Sequence, residues 1–309
     1  MSKQLPIEAA STPRKQPWLL HILNVPTMNF CSFASCIARQ TVTSSSNDPV
    51  LASEPIPKQS SILIAVSGSN DSQIDLYQLP SEEKIGTIPA PEQVDTKTGM
   101  VMVLKLFYSS SDTDDLFVIA GYESGRTYLF KRVSKAQKWE AIYTSCPHSQ
   151  PILSLDISPT LDCYYTSSAD AIIAKHPLLQ AGMDENPLKQ SQTQHAGQQG
   201  LKMRSDGRIF ATAGWDSRAR VYSAKSMKEL AVLKWHKDGC YAIAFGEIIS
   251  PLAKQDGVFD ASTSTKLVKE AHESAAYKTV QQARGEKTRL THWLAVGAKD
   301  GKVSLWDIY

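Results

Sequence analysis

Serine or threonine, histidine and aspartate recur together along this sequence, and these are the residue types of a hydrolytic catalytic triad. A triad needs one nucleophile, one general base and one orienting carboxylate within hydrogen-bond reach of each other. Here the three types recur at corresponding positions of several similar segments, and no serine lies in a G-x-S-x-G turn. We therefore interpret them as a buried structural network, in which paired polar groups determine how neighbouring strands pack. The predicted network contains His148, His195, His236, Ser67, Ser167, Thr212, Asp71, Asp170 and Asp216, with Asp300 and Trp306 in the last segment.

The sequence contains no recognisable ligand set for a metal ion or a phosphate group. Its five cysteines form no CxxC pair, and no two of its seven histidines have the HxxxH spacing of a zinc site. Residues 297–303, GAKDGKV, have too few residues between the glycines for a P-loop and no Ser or Thr after the lysine. We predict no catalytic residue, no metal site and no cofactor.

The elements that must position these residues are repeated β-hairpins. Residues 292–309, HWLAVGAKDGKVSLWDIY, contain two apolar strands around an Asp-Gly turn and end in Trp-Asp, the signature of a WD repeat. Four earlier segments have the same pattern, with turn positions at Asp71, Ser124, Asp170 and Asp216. Because a single repeat cannot bury its own apolar face, the recurrence predicts an all-β, WD40-repeat β-propeller with five recognisable blades.

Composition and charge argue against several classes of protein. The chain has 33 basic and 31 acidic residues, a net charge of +2, which gives no electrostatic case for binding nucleic acid. No apolar run approaches the roughly 20 residues of a membrane-spanning helix, and the N-terminus lacks the apolar region of a secretory signal. An odd number of cysteines without such a signal favours reduced thiols.

We expect a disordered segment over residues 1–16 and the propeller over residues 17–309. Polar stretches interrupt the repeats and predict loop insertions at 41–61, 180–199 and 250–289. The last insertion is rich in helix-forming residues but has only a weak apolar stripe. A short surface helix and disorder are therefore both open alternatives for it.

Aromatic and basic residues near the strand turns are the best candidates for a partner surface. Trp215, Arg218, Trp235 and Lys237 lie near turns of the fourth blade. Tryptophan and arginine are typical anchors of protein interfaces. We expect the two tryptophans to pack between neighbouring blades, because large apolar side chains are usually buried. An exposed partner surface is the alternative.

Three stretches resemble the ASTRA-associated protein 1 family of fungi, whose animal relative is guanine nucleotide-binding protein β-subunit-like protein 1. They are RKQPWLLHILNVPTMNFCSF from residue 14, RIFATAGWDSRARVYS from residue 208, and the terminal HWLAVGAKDGKVSLWDIY. The resemblance implies a nuclear WD-repeat scaffold in the ASTRA complex, linked to chromatin remodelling. It also implies a link, through Tel2–Tti1–Tti2, to the maturation of phosphatidylinositol-3-kinase-related kinases. The family has no catalytic residues to carry over, and the implied partners are protein subunits rather than nucleic acid or membrane.

Members of this family usually have about two further blades before PWLLHIL, so the resemblance also implies a seven-bladed ring that is shortened at its N-terminus here. Residues 17–27, PWLLHILNVPT, are then expected to form the outer strand of a missing blade. Alternatively, they pair with KVSLWDIY and close a smaller ring.

Three other functions are alternatives to the scaffold. A histone-peptide reader would need an aromatic cage for methyl-lysine. A propeller hydrolase would need converging carboxylates, for which Asp156 and Asp206 lie near the inner strands. A G-protein β-like role would call for an N-terminal coiled-coil helix, which residues 1–16, with two prolines, cannot supply.

Overall fold

The computed structural model describes residues 19–26, 29–39, 61–91, 98–109, 115–133, 138–179, 185–248 and 280–308. The described strands form five separate antiparallel sheets, each built from strands that are consecutive in the chain. Their first strands neighbour one another in chain order and form the inner wall of the molecule. This arrangement confirms the prediction of an all-β, WD40-repeat β-propeller fold, with five recognisable blades in the described residues.

Blades 1 to 3 each have four strands, ordered from the innermost to the outermost. Blade 1 contains β1 (Ala34–Ile37), β2 (Ile62–Ser67), β3 (Ile74–Leu79) and β4 (Glu83–Ile88). Blade 2 contains β5 (Val101–Tyr108), β6 (Leu116–Tyr122), β7 (Thr127–Val133) and β8 (Lys138–Ser145). Blade 3 contains β9 (Ile152–Ile157), β10 (Cys163–Ser168), β11 (Ile172–Pro177) and β12 (Lys189–Gln192).

Blade 4 also has four strands, whereas blade 5 has three in the described part of the chain. Blade 4 contains β13 (Gln198–Met203), β14 (Ile209–Gly214), β15 (Ala219–Ser223) and β16 (Glu229–Leu233). Blade 5 contains β17 (Cys240–Phe245), β18 (Trp293–Ala298) and β19 (Val303–Asp307). Helix α1 (Val280–Leu290) lies between β17 and β18.

In blades 2 to 4 the second strand is buried on both faces, which explains its unbroken run of apolar and small residues. In β6, Leu116 and Val118 contact the core shared with blade 1, whereas Phe117 and Ile119 contact the core shared with blade 3. Successive side chains of a strand point to opposite faces. Every residue of β6, β10 and β14 is buried, so each of these strands supports two interfaces between blades.

The prediction of a loop over residues 180–199 is wrong for two parts of that stretch. Lys189–Gln192 form β12, which pairs with β11, and β13 begins at Gln198. β12 has the sequence KQSQ and mostly exposed side chains because it is the outermost strand of its blade. It therefore carries none of the apolar alternation that marks a half-buried strand.

Residues 19–26 differ from both expectations for the stretch 17–27. They form no strand, so they are neither the outer strand of a further blade nor a partner of β19. Instead, His21 Nδ1 lies 2.8 Å from Glu82 Oε1, in the turn between β3 and β4. The segment therefore lies against blade 1.

The remaining predictions on domain organisation fall partly or wholly outside the described residues. Residues 1–16 and 41–60 lie outside them, as do residues 249–279 of the last insertion. The described end of that insertion is α1, the first of the two alternatives. Within the described residues, no helix has the length and apolar character needed to span a membrane.

Candidate functional site

The turns between second and third strands meet the loops between blades at one edge of the propeller, which we call the turn edge. The Trp215 backbone N–H, in a turn of blade 4, donates to the Gly197 carbonyl in the loop before β13, at 3.0 Å. Lys299, in the turn of blade 5, donates to the Gly239 carbonyl in the same way, at 2.9 Å. The histidines and aspartates of the predicted network lie at or beside this edge.

Five side chains form a continuous hydrogen-bonded chain in blade 3. His148 Nδ1 lies 3.2 Å from Asp170 Oδ1, and His148 Nε2 lies 2.8 Å from Thr166 Oγ1. The same hydroxyl lies 3.0 Å from His176 Nε2, and His176 Nδ1 lies 2.9 Å from the Tyr143 hydroxyl. Thr166 and His176 are fully buried. The structure thus brings His148 and Asp170 into direct contact, and the chain continues to Tyr143 on the neighbouring blade.

One direction of donation satisfies every member of this chain with both rings neutral. Asp170 can only accept, so the His148 Nδ1–H donates to it, and His148 Nε2 accepts the hydroxyl proton of Thr166. The Thr166 oxygen accepts from the His176 Nε2–H, and His176 Nδ1 accepts from the Tyr143 hydroxyl. This assignment of tautomers commits the only hydroxyl proton of Thr166 to a histidine. The arrangement holds strands in place and exposes no nucleophile.

Burial and hydrogen bonding shift the pKa values of the chain in a consistent way. Burial alone would raise the pKa of Asp170, but hydrogen bonds from His148 and from two backbone N–H groups outweigh it and lower that pKa. Burial, together with the nearby His148, lowers the pKa of His176 well below its usual value of 6.5. Burial raises the pKa of Tyr143 to about 12. His176 is therefore held in its neutral form, and Asp170 carries its negative charge at the turn edge.

Blade 4 uses an arginine where the predicted network has a histidine. Asp216 accepts two hydrogen bonds from the fully buried Arg220, at 3.1 and 2.5 Å, and Arg220 Nε lies 3.4 Å from Glu229. His195 Nδ1 lies 3.9 Å from Asp216, too far for a hydrogen bond. The buried Thr212 hydroxyl makes no hydrogen bond within the described residues. The prediction of a Thr–His–Asp network is therefore wrong for this blade.

The Asp71 prediction in blade 1 is also wrong. Asp71 is exposed, and its contribution is a backbone carbonyl that accepts from Val101. The buried carboxylate of this blade belongs to Asp75, which lies 2.8 Å from Lys84 Nζ and accepts from Thr87 at 3.0 Å. Blade 1 thus places its carboxylate within β3 rather than in the turn.

Blade 5 joins His236 to Trp306 through one hydroxyl. His236 Nε2 lies 2.9 Å from Ser304 Oγ, and the Trp306 indole N–H donates to the same oxygen at 2.8 Å. Asp300 instead pairs with Lys302, through both its carboxylate oxygens. The structure therefore brings two of the three predicted residues of this blade together and leaves Asp300 apart.

Sequence reasoning missed several members of these networks, among them Thr166, His176 and Arg220. Ser167 was predicted as the hydroxyl of blade 3, but it faces blade 4 and donates to the Gln198 carbonyl at 2.9 Å. The hydroxyl in use is Thr166, one residue earlier, because neighbouring residues of a strand face opposite sides. His176 and Arg220 lie on third strands, where a buried ionisable residue interrupts an apolar pattern. That interruption was the available signal.

The four predicted surface residues lie exposed around the turn edge of blade 4. Trp215 is 44% and Trp235 is 53% exposed, and Arg218 and Lys237 are exposed as well. The expectation that both tryptophans pack between blades is therefore wrong. Each ring has its own local support: the indole N–H of Trp215 donates to Gln199 at 3.0 Å, and Trp235 packs edge-on against the neighbouring imidazole, with ring centroids 4.8 Å apart.

The position of the Trp215 ring depends on the glycine beneath it. Gly197 has φ +72°, and a Cβ there would lie 2.1 Å from the Trp215 ring. Only glycine combines this backbone conformation with such a close approach. The ring is consequently presented at the surface in one defined orientation.

Neither carboxylate suggested for a hydrolase stands free to act as a general base. Asp156 lies 2.7 Å from Lys105 Nζ and accepts the Met203 backbone N–H at 2.9 Å. Asp206 is held by Arg204 through both oxygens, at 3.0 and 2.7 Å. The arginine and backbone hydrogen bonds outweigh burial and lower the pKa of Asp206. These pairings suit structural carboxylates.

Comparison with known proteins identifies close relatives along the whole chain. ASTRA-associated protein 1 of Aspergillus niger is 43% identical over all of this chain and 76% of its own length. The protein of the same name from Verticillium alfalfae is 44% identical over all of this chain and 71% of its own length. Guanine nucleotide-binding protein subunit beta-like protein 1 of Mus musculus is 28% identical over 80% of this chain. No family model matches the sequence.

Proposed function

This chain belongs to the ASTRA-associated protein 1 family, and on that premise we propose that it is a non-enzymatic scaffold subunit of the ASTRA complex. It acts in the nucleus, in chromatin remodelling, and contacts the Tel2–Tti1–Tti2 group during maturation of phosphatidylinositol-3-kinase-related kinases. Its mechanism is the simultaneous binding of several protein subunits by loops on rigid blades. The names of its relatives support membership of a complex.

The observation that carries the scaffold function is the exposed pair Trp215 and Trp235, with basic neighbours, on the turn edge of blade 4. A large aromatic ring exposed to water is an anchor of the kind that dominates the energy of protein interfaces. Trp215 is also held in a single orientation by Gly197 and Gln199. Pre-organisation of this kind lowers the entropy lost on binding.

The proposal is tested by affinity purification of the tagged full chain from nuclear extract, with bound proteins identified by mass spectrometry. The test variant carries Trp215→Ala and Trp235→Ala. The matched control carries Leu230→Ala, which removes an apolar side chain of the same blade that is 59% exposed but lies on the outer strand β16.

We expect the wild type and the control to recover ASTRA subunits and Tel2–Tti1–Tti2, and the double variant to lose at least one of them. Loss of a hot-spot side chain weakens binding by about 2 kcal/mol or more, roughly thirtyfold. If the double variant recovers the same proteins at the same level as the control, blade 4 is not the partner surface. If the wild type recovers no ASTRA subunit, the scaffold function itself is wrong.

A further inference from the structure

The inner strands of the first four blades line an open cavity that is separate from the exposed tryptophans of blade 4. Its volume is about 630 Å³, within the range of about 300–1,000 Å³ that is common for ligand sites. Strands β1, β5 and β9 supply most of its wall, and β13 contributes Lys202. Most of the wall is neutral, made of serine hydroxyls and apolar side chains that include Phe33 and Phe107.

Three charged side chains meet in this cavity, each from a different inner strand. Lys105 Nζ lies 2.7 Å from Asp156 Oδ1, and Lys202 Nζ lies 3.8 Å from the same oxygen. The other carboxylate oxygen of Asp156 accepts the Met203 backbone N–H. Asp156 is the only acidic side chain among the residues that line the cavity. Two ammonium groups thus share one carboxylate, which leaves one positive charge in excess.

The ammonium group of Lys202 is less well neutralised by Asp156 than that of Lys105, because it lies farther from the carboxylate. Burial lowers the pKa of Lys202, Asp156 opposes that effect, and the neighbouring Lys105 lowers the pKa further. A further negative charge beside Lys202 would stabilise its charged form. Lys105 and Lys202 keep 31% and 42% of their side-chain surface exposed, so a ligand can reach both from solvent.

We propose that this cavity binds an acidic peptide segment of a partner subunit, with one carboxylate placed between Lys105 and Lys202. The excess of one charge matches a single carboxylate rather than a polyanion such as nucleic acid. The apolar wall at Phe33 and Phe107 accepts aliphatic or aromatic side chains that flank the acidic residue. This site deepens the scaffold function proposed above and rests on it, since the segment belongs to another subunit of the complex.

The test uses the purified full chain and isothermal titration calorimetry. The probe is an acetylated and amidated pentapeptide, Gly-Leu-Glu-Phe-Gly, and its partner probe replaces the glutamate by glutamine. Three variants accompany the wild type: Lys202→Gln, Asp156→Asn, and Lys225→Gln as a control at an exposed lysine outside the cavity. Circular dichroism in the near ultraviolet establishes that each variant retains the native packing.

The two variants of the cavity are expected to act in opposite directions. Lys202→Gln weakens binding of the glutamate peptide about fivefold, since a half-exposed ion pair contributes about 1 kcal/mol. Asp156→Asn raises the excess charge and strengthens binding, and Lys225→Gln leaves it unchanged. A residue with a purely structural role would not produce opposite signs.

The proposal is overturned if the glutamine peptide binds as tightly as the glutamate peptide, or if Lys202→Gln has no effect in a folded variant. It is also overturned if inorganic phosphate displaces the peptide at equal concentration, because the cavity is then a simple anion site. Should Asp156→Asn fail to fold, the Lys202→Gln comparison still decides. The titration contains only the purified protein and a peptide, whereas the affinity purification tests recovery of ASTRA subunits. A negative titration therefore rejects the cavity site and leaves the scaffold function to be decided by the purification.

Discussion

Replacing Thr166 by valine removes one hydroxyl from the centre of the blade 3 chain and leaves a side chain of nearly the same shape. That hydroxyl contacts His148 Nε2 at 2.8 Å and His176 Nε2 at 3.0 Å. Both ring nitrogens lie in the protein interior, so water cannot replace the lost partner. A buried polar group left without a hydrogen bond costs about 1–3 kcal/mol. We therefore expect Thr166→Val to lower the free energy of unfolding by about 2–5 kcal/mol.

The assay is urea unfolding of the full chain, followed by circular dichroism. Thr166→Ser keeps the hydroxyl and loses one methyl group, so its cost should be about 1 kcal/mol. The matched control is Thr212→Val, at the corresponding position of blade 4. Thr212 Oγ1 is buried and makes no hydrogen bond within the described residues, so this change should cost less than about 1 kcal/mol.

The reasoning is refuted if Thr166→Val and Thr212→Val destabilise the protein equally. Such a result would mean that the hydroxyl itself contributes little and that the histidines find other partners. The reasoning is also refuted if Thr166→Ser lowers the free energy of unfolding more than Thr166→Val does. Packing of the methyl group would then matter more than the hydrogen bonds of the hydroxyl.

Three further predictions concern pH, a buried ion pair and backbone conformation. The fold lowers the pKa of His176, so its neutral side chain contributes its full stabilisation above about pH 6.5. Below that pH the free energy of unfolding should fall by up to about 1.4 kcal/mol per pH unit, because the unfolded chain binds a proton that the folded chain does not. Urea titrations at pH 7.5 and 5.5 measure this difference. Asp216→Asn should cost about 2–4 kcal/mol and more than Arg220→Met, since it leaves a buried guanidinium short of a counter-charge; thermal unfolding compares the two. Gly197→Ala should lower the unfolding temperature more than Gly207→Ala and change tryptophan fluorescence, because both glycines have positive φ but the Gly197 Cβ would overlap an indole ring.

Each of these three predictions has a clear contrary outcome. Stability at pH 5.5 equal to that at pH 7.5 would show that His176 is protonated in the fold without cost. An Arg220→Met variant less stable than Asp216→Asn would show that packing of the long side chain outweighs its charge. Equal effects at Gly197 and Gly207 would mean that backbone strain alone, rather than overlap with the ring, determines the cost.

The architecture could be predicted because burial on both faces leaves an unmistakable sequence pattern. The runs of β6, β10 and β14 are apolar or small throughout, and an acidic or polar turn follows each one. The outermost strand β12 escaped prediction because its mostly exposed side chains carry no such pattern. The sequence therefore predicted the buried second strand of a blade better than its exposed outermost strand.

The networks were less predictable because they depend on register. Ser167 and Thr166 are adjacent in the sequence, yet only Thr166 faces the two histidines, and a one-residue shift exchanges the faces. The search for recurring histidines overlooked Arg220, which is marked only by a charged residue within the apolar third strand β15. The exposure of Trp215 followed from a close approach to Gly197 across the turn edge, a contact between residues that only the folded chain brings together.

The hydrogen-bonded chain of blade 3 also crosses a boundary between blades, since Tyr143 belongs to β8 and His176 to β11. A second hydrogen bond, from Thr127 to Tyr164 at 3.2 Å, crosses the same boundary. Local opening of either blade must break both contacts, so the two blades open as one cooperative unit. In hydrogen–deuterium exchange, backbone amides of β7 and β10 should therefore share one opening free energy and one sensitivity to urea, although they belong to different repeats.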